Sequence, residues 1–207
     1  MAENMHPKFA RDQFYINQKR MSLREKYYVY DEMGEPLFYV ERPFGWFKRR
    51  NITIFDDDSK TSPVLFIEQD HFWEIAHRDY TVRDIGGEVI AKLSRNNFAS
   101  LFRRKWDIMA PGGAMIATAR EDSAFLAAMR RIIDLIPFVE LIGGIIKTDF
   151  HFLARDIDGT ETKIGAFTRR ISLFDKYVLD MSEDVSKKLD RRVALAAGVL
   201  LDTAEKR

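Results

Sequence analysis

From Val193 to Leu201 the chain reads VALAAGVLL, with no polar side chain anywhere in the run. A helix that is apolar on every face has to be surrounded, either by the interior of a protein or by lipid. Spanning a bilayer takes about 20 such residues, and this run is shorter and closed at its ends by Asp190, Arg191, Arg192 and Asp202. The stretch Asp184 to Arg207 is therefore expected to form a helix threaded through the inside of something built by the residues before it, with Asp184 capping its start. An integral membrane protein is not expected.

What precedes it reads as strands. Tyr27-Tyr-Val-Tyr-Asp31, then Glu-Met-Gly34, then Pro36-Leu-Phe-Tyr-Val-Glu-Arg42 is an aromatic and β-branched run, a tight turn and a second run. The phrase returns around Gly86-Gly87, around Gly112-Gly113 and around Asp158-Gly159. Single strands are expected at Gln13–Lys19, Asn51–Phe55, Pro63–Ile67 and Lys176–Asp180. That makes about a dozen strands, many for an open sheet, so closure is favoured. A barrel of that width has an interior its own side chains struggle to fill. The C-terminal helix fills it. The fold class expected is mainly β, a closed antiparallel barrel around a buried C-terminal helix. One additional helix is expected between strands, from Asp122 to Ile136, with Phe125, Leu126, Met129, Ile132, Ile133 and Ile136 on one face. Residues 1–12 are expected to be a loose N-terminal segment and 13–207 a single barrel domain.

The opening Lys26-Tyr-Tyr-Val-Tyr-Asp-Glu-Met-Gly34, the middle Tyr80-Thr-Val-Arg-Asp-Ile-Gly-Gly87 with Arg103-Arg-Lys-Trp-Asp107, and the closing Asp190-Arg-Arg-Val-Ala-Leu-Ala-Ala197 together resemble the tubby C-terminal-like superfamily. The likeness is to the LURP-one-related proteins and their relatives the phospholipid scramblases, over nearly the whole chain. The resemblance implies a closed barrel of about twelve antiparallel strands around a central helix. It also implies binding rather than catalysis. Tubby domains bind phosphoinositides, and the LURP-one-related group offers the alternative of a protein-interaction scaffold without lipid activity. The cysteine-rich acylation site and Pro-rich arm of the scramblases are missing, so scrambling is not expected.

Net charge is +1 and cysteine is absent. The first value means no global field toward nucleic acid, so nucleic acid is not an expected partner. The second removes disulfides, thiolate metal sites and a cysteine nucleophile. The N-terminus carries charges and no apolar stretch of the secretory kind, so the expected compartment is the cytoplasm, with peripheral association at a membrane. No signature fixes a nucleophile and base, and the protein is not expected to be an enzyme. His71 and His77 flank Glu74 without the spacing of a two-histidine helix motif, and neither metal nor other cofactor is expected.

Basic residues stand beside large aromatics in Phe44-Gly-Trp-Phe-Lys-Arg-Arg50, in Asn97-Phe-Ala-Ser-Leu-Phe-Arg-Arg-Lys-Trp106 and in Phe167-Thr-Arg-Arg170. Trp and Phe favour the headgroup level of a membrane, while Arg and Lys pair with lipid phosphates. The candidate anion-binding residues are Trp46, Lys48, Arg49, Arg50, Arg103, Arg104 and Lys105, with anionic phospholipid headgroups as the expected partner and a protein as the alternative. Ordinary strand alternation, aromatics inward and cations outward, accounts for the same composition. The two readings separate on whether these loops share one end of the barrel.

Overall fold

The structure is a computed structural model describing residues 5–19, 25–42, 51–71, 77–96, 104–122, 149–156, 158–170 and 176–205. Twelve strands close into one antiparallel barrel: β1 (Gln13–Lys19), β2 (Glu25–Tyr30), β3 (Pro36–Arg42), β4 (Ile52–Phe55), β5 (Pro63–Gln69), β6 (His77–Asp84), β7 (Val89–Asn96), β8 (Lys105–Met109), β9 (Met115–Glu121), β10 (Asp149–Arg155), β11 (Glu161–Arg170) and β12 (Lys176–Asp180). Each strand pairs with its sequence neighbours, and β1 closes the ring on β12 through Gln13 opposite Asp180 to Asn17 opposite Lys176. The additional helix expected over Asp122–Ile136 lies outside the described residues, apart from Asp122.

The repeated phrase in the sequence is a repeated turn. Between β2 and β3 the Gly34 N–H donates to the Asp31 carbonyl and the Asp31 N–H to the Glu35 carbonyl, with Gly34 at φ +87°. A side chain there would be strained, which is why glycine recurs. The same pair of bonds joins Asp84, Gly87 and Glu88, then Ala110, Gly113 and Ala114, then Asp156, Gly159 and Thr160. A register shift sits in the strand pair beside each of the first three turns, the bulge that keeps such hairpins twisted, whereas in β10–β11 it falls in mid-strand, between Phe152 and Leu153.

Helix α1 (Arg191–Glu205) occupies the interior. Val193 through Ala197 and Val199 through Leu201 are all buried, in one cluster with inward-facing strand residues such as Phe14, Ile16, Ile54, Leu93 and Phe152. The helix begins seven residues later than Asp184. Asp190 caps it, its carboxylate accepting the Arg192 N–H at 2.8 Å and its carbonyl the Ala194 N–H at 2.9 Å. Asp184 instead organises the approach, accepting the N–H groups of Lys188 and Leu189 at 2.8 and 3.0 Å. The shift has a simple cause: an aspartate side chain that accepts N–H groups four and five residues on can close a turn as readily as it caps a helix.

The start of the chain packs on the same core. Phe9, in a short 3₁₀ turn (Pro7–Phe9), is buried and stacks on Phe38 with ring centroids 4.4 Å apart.

Gly165 on β11 is required by proximity. A Cβ there would lie 2.5 Å from the Asp180 carbonyl oxygen and 2.5 Å from the Met181 sulfur. Backbone cannot retreat as a side-chain tip can, so Gly165→Ala is expected to destabilise by about 1–3 kcal/mol, read as a lowered denaturant midpoint with unchanged slope. Unaltered stability would show that the two strands are not so closely apposed.

Candidate functional site

An up-and-down barrel sends alternate connections to opposite ends. At one end lie the turns 31–35, 56–62, 84–88, 110–114 and 156–160, together with the 181–190 approach to α1. At the other end the flanking strand termini belong to 20–24, 43–50, 72–76, 97–103, 123–148 and 171–175. These six connections lie outside the described residues, but the strands that bracket them fix which end they join.

The two ends differ sharply in chemistry. The first set holds thirteen carboxylates against three lysines and has no aromatic residue. The second holds nine Lys and Arg against four carboxylates, and ten Phe and Trp. The barrel separates the ends by roughly 18–23 Å, the span of a tilted seven-residue strand. A net charge of +1 conceals two sets of connections of opposite composition, which the strand order assigns alternately to the two ends.

At the acidic end the pairing is built in. Arg191, only 4% exposed at its side chain, donates from Nη1 to Asp184 Oδ2 at 2.7 Å and to the Leu189 carbonyl at 2.8 Å. Its Nη2 reaches the Met181 carbonyl at 3.1 Å, and its Nε the Asp12 carboxylate at 2.8 Å. Asp12 also pairs with Lys187. For both Asp184 and Asp12 burial opposes ionisation, but hydrogen bonds from backbone N–H groups and from Arg191 and Lys187 outweigh it and hold the carboxyls below their ordinary range. Lys8 and Arg11 meet Asp56 and Asp31 at 2.5 and 3.2 Å. These groups fasten the N-terminal segment and the start of α1 to one rim.

At the basic end the inward-facing residues change character. Phe and aliphatic side chains fill the interior, and at the last inward position of several strands, though not of β4 or β10, polar groups take over. Gln18 on β1 and Tyr27 on β2 are buried opposite one another, with Gln18 Nε2 3.4 Å from the Tyr27 hydroxyl. Arg42 follows Val40 on the inner face of β3 and its Nη1 lies 3.5 Å from the Thr203 carbonyl of α1. Arg78 is buried and stands directly opposite Arg95 in the β6–β7 register. Asp202 and Thr203, the last turn of α1, are buried there as well.

Of the residues singled out from the sequence, Trp46, Lys48, Arg49, Arg50 and Arg103 lie outside the described residues. Arg104 and Lys105 are described, at the entry to β8. Arg104 is half-buried, and its backbone bonds Glu121 through a carbonyl 3.0 Å from the Glu121 N–H. Lys105 is exposed and pairs with Asp107 at 2.9 Å. The β3–β4 and β7–β8 connections bracketed by Arg42 and Asn51, and by Asn96 and Arg104, join the same end. Strand alternation divides the third cluster. Phe167 is buried against Tyr177, with ring centroids 5.1 Å apart, whereas the Arg170 guanidinium lies 5.3 Å above the Tyr15 ring on the outer wall. Sequence reading overlooked Arg42, Arg78 and Arg95, each separated from the basic–aromatic clusters and recognisable only as the last inward position of a strand. Among the described residues no group of three or more His, Asp or Glu is placed to hold a metal ion. No helix among them is long and apolar enough to cross a membrane.

A closed twelve-strand barrel with an axial helix, rather than a cleft lined by titratable groups, defines the class. The model of the LURP-one-related family matches residues 12–76 and 41–202. The chain belongs to that family. In fold it is similar to a protein from Arabidopsis thaliana solved by X-ray crystallography, at 13% identity and a TM-score of 0.54, with 100% of each chain covered. No curated protein matches the chain.

Proposed function

We propose that the protein is a non-enzymatic binding module that meets anionic phospholipid or phosphoinositide headgroups with its basic end. The observation that carries this reading is the segregation of charge and aromatics. The connections that join the basic end contain nine cations and all ten connection aromatics, and the opposite turns contain thirteen carboxylates. A negatively charged surface orients such a molecule, attracting one end while repelling the other. Trp46, Lys48, Arg49, Arg50, Arg103, Arg104 and Lys105 are the proposed contacts, the indole at headgroup depth and the cations on phosphate. Residues 13–207 act as one barrel domain in this reading, and the protein works in the cytoplasm at the membrane surface.

Liposome co-sedimentation tests it. Each cation near an anionic surface contributes about 1 kcal/mol, so changing Lys48, Arg49 and Arg50 together to alanine is expected to weaken binding to phosphatidylserine-containing vesicles by roughly 100-fold at low salt. Neutral vesicles should bind poorly throughout. Equal recovery with neutral and anionic vesicles would remove the reading.

One feature favours a protein-interaction scaffold as the second reading. The outer wall carries a groove of about 400 Å³ lined by Tyr15, Tyr30, Met33, Arg170, Lys176 and Val178, among others. Met33 at its edge is 85% exposed. A partner docked there should be retained after the Lys48–Arg50 substitutions, whereas lipid binding should not.

A further inference from the structure

The outer wall from β1 to β4 carries aromatic rings where a solvent-facing strand normally carries polar groups. Tyr15 and Asn17 alternate with the buried Phe14, Ile16 and Gln18, and Tyr28 and Tyr30 with the buried Tyr27 and Val29, so all four point outward. Tyr15 stands opposite Tyr30, and Asn17 opposite Tyr28. The rings continue across two more strands, with centroids 6.4 Å apart for Tyr28 and Tyr30, 5.2 Å for Tyr28 and Tyr39, and 6.4 Å for Tyr39 and Phe55. Tyr15 and Tyr30 line the groove of about 400 Å³ at whose edge Met33 is 85% exposed.

Charge stands at both ends of that groove. At one end Lys176 is opposite Arg170 on one side and Asn17 on the other. At the other end is Glu32, in the turn after β2. Lys176 and Glu32 are both exposed, and neither makes an ion pair among the described residues. Tyr28 shares the row of Lys176 through Asn17, and from Tyr28 to Glu32 is four residues, at most about 14 Å.

The barrel restricts what can bind there. Its twelve strands form a closed ring, so no strand edge is free to accept an added strand. Contact has to come from the rings, and from the Tyr30 hydroxyl and the Asn17 amide, which make no hydrogen bond among the described residues. Aromatic grooves accept proline rings, and a polyproline II chain leaves its backbone carbonyls unbonded and is already extended before it docks.

We propose that the groove binds a proline-rich segment of a partner protein in the polyproline II conformation. An acidic residue of that segment meets Lys176 and Arg170, and a basic one meets Glu32. At about 3.1 Å per residue, four prolines between the two charges match the length of the groove. The inference deepens the scaffold reading and rests on it; the proposed headgroup contacts take no part.

The probes are the labelled peptides DPPPPR, RPPPPR and the proline-free DSSSSR, read by fluorescence anisotropy on the full chain. Saturable binding of DPPPPR is expected, at least about 10-fold tighter than DSSSSR, whose flexible backbone has to be ordered on docking. Tyr30→Ala is expected to weaken it about 30-fold, the scale of a tyrosine hot spot. Should that variant fail to fold, Met33→Asp, at an exposed edge of the groove, takes its place. Lys176→Glu is expected to turn a roughly 3-fold preference for DPPPPR over RPPPPR into the reverse. Absent binding of DPPPPR, equal binding of DSSSSR, or a preference unmoved by Lys176→Glu overturns the inference. A displayed library of random peptides separates it from the reading beneath. Proline-free sequences that bind the natural chain and are lost on the groove variant overturn the polyproline ligand and leave the groove a protein dock. No groove-dependent sequence at all overturns both. Vesicle binding that the groove variant loses, with DPPPPR unbound, assigns the wall to a membrane and overturns the inference as well.

Discussion

Changing Asp184 to alanine is expected to destabilise the protein by about 3–5 kcal/mol, the cost of removing the buried partner of the Arg191 guanidinium, which then keeps only the more exposed Asp12 as a counter-ion. The size follows from what Asp184 holds. One oxygen accepts the Lys188 N–H, and the other both the Leu189 N–H and Arg191 Nη1, with the carboxylate 1% exposed. Water cannot replace those bonds without opening the rim. Against a typical total of about 5–15 kcal/mol, such a loss would move a thermal or urea midpoint conspicuously. A shift below about 1 kcal/mol would show that the α1 entrance does not depend on this pair. The pH dependence has a definite sign. A carboxyl whose folded pKa lies below its ordinary value, as for Asp184 and Asp12, binds its proton more weakly in the folded state. Its stabilisation is fully present above the unfolded value of 3.8 and is lost as pH falls through the lower folded value. Urea midpoints measured from pH 7 downward should fall below about pH 4, and the Asp184→Ala protein should show less of that fall.

Leu195→Ala is expected to cost about 2–5 kcal/mol, although Leu195 belongs to a helix whose own propensity the substitution improves. Leu195 is fully buried, enclosed with Ala194 and Ala196 among strand side chains. Alanine would leave a cavity that a closed barrel cannot collapse to fill, because its circumference is set by strand hydrogen bonds. Were α1 lying on the outside, the same change would be neutral or slightly stabilising. Chemical denaturation of the variant therefore tests directly whether the helix is axial. Gly198 applies the same logic at a narrower point: a Cβ there would meet the Phe167 ring at 3.3 Å.

Much of the fold was legible because its signals are local. Alternation of apolar and polar residues, together with the Asp-x-x-Gly turn phrase, located the strands. Gln13–Lys19, Pro36–Arg42 and Lys176–Asp180 match the observed bounds, since each run ends on residues that cannot continue its pattern. The start of α1 was less legible. Asp184 and Asp190 both precede apolar residues and are equally good local caps, and what assigns Asp184 to the turn is its contact with Arg191. The site was half legible. Clusters contiguous in sequence, such as Lys48–Arg50, are visible as composition. Residues that meet only through the strand register, as Arg78 and Arg95 do, are not, because they stand apart in the chain and look like ordinary strand cations.

Sequence alone determined that Val193–Leu201 must be enclosed and that strands in number would enclose it, since burial of apolar surface and the period of a strand are properties of residues in order. Only the tertiary structure decided which connections join which end of the barrel, and so how the acidic and basic stretches of the sequence are divided between them. That division depends on which way each strand runs and where the ring closes, and a near-zero total has no memory of either.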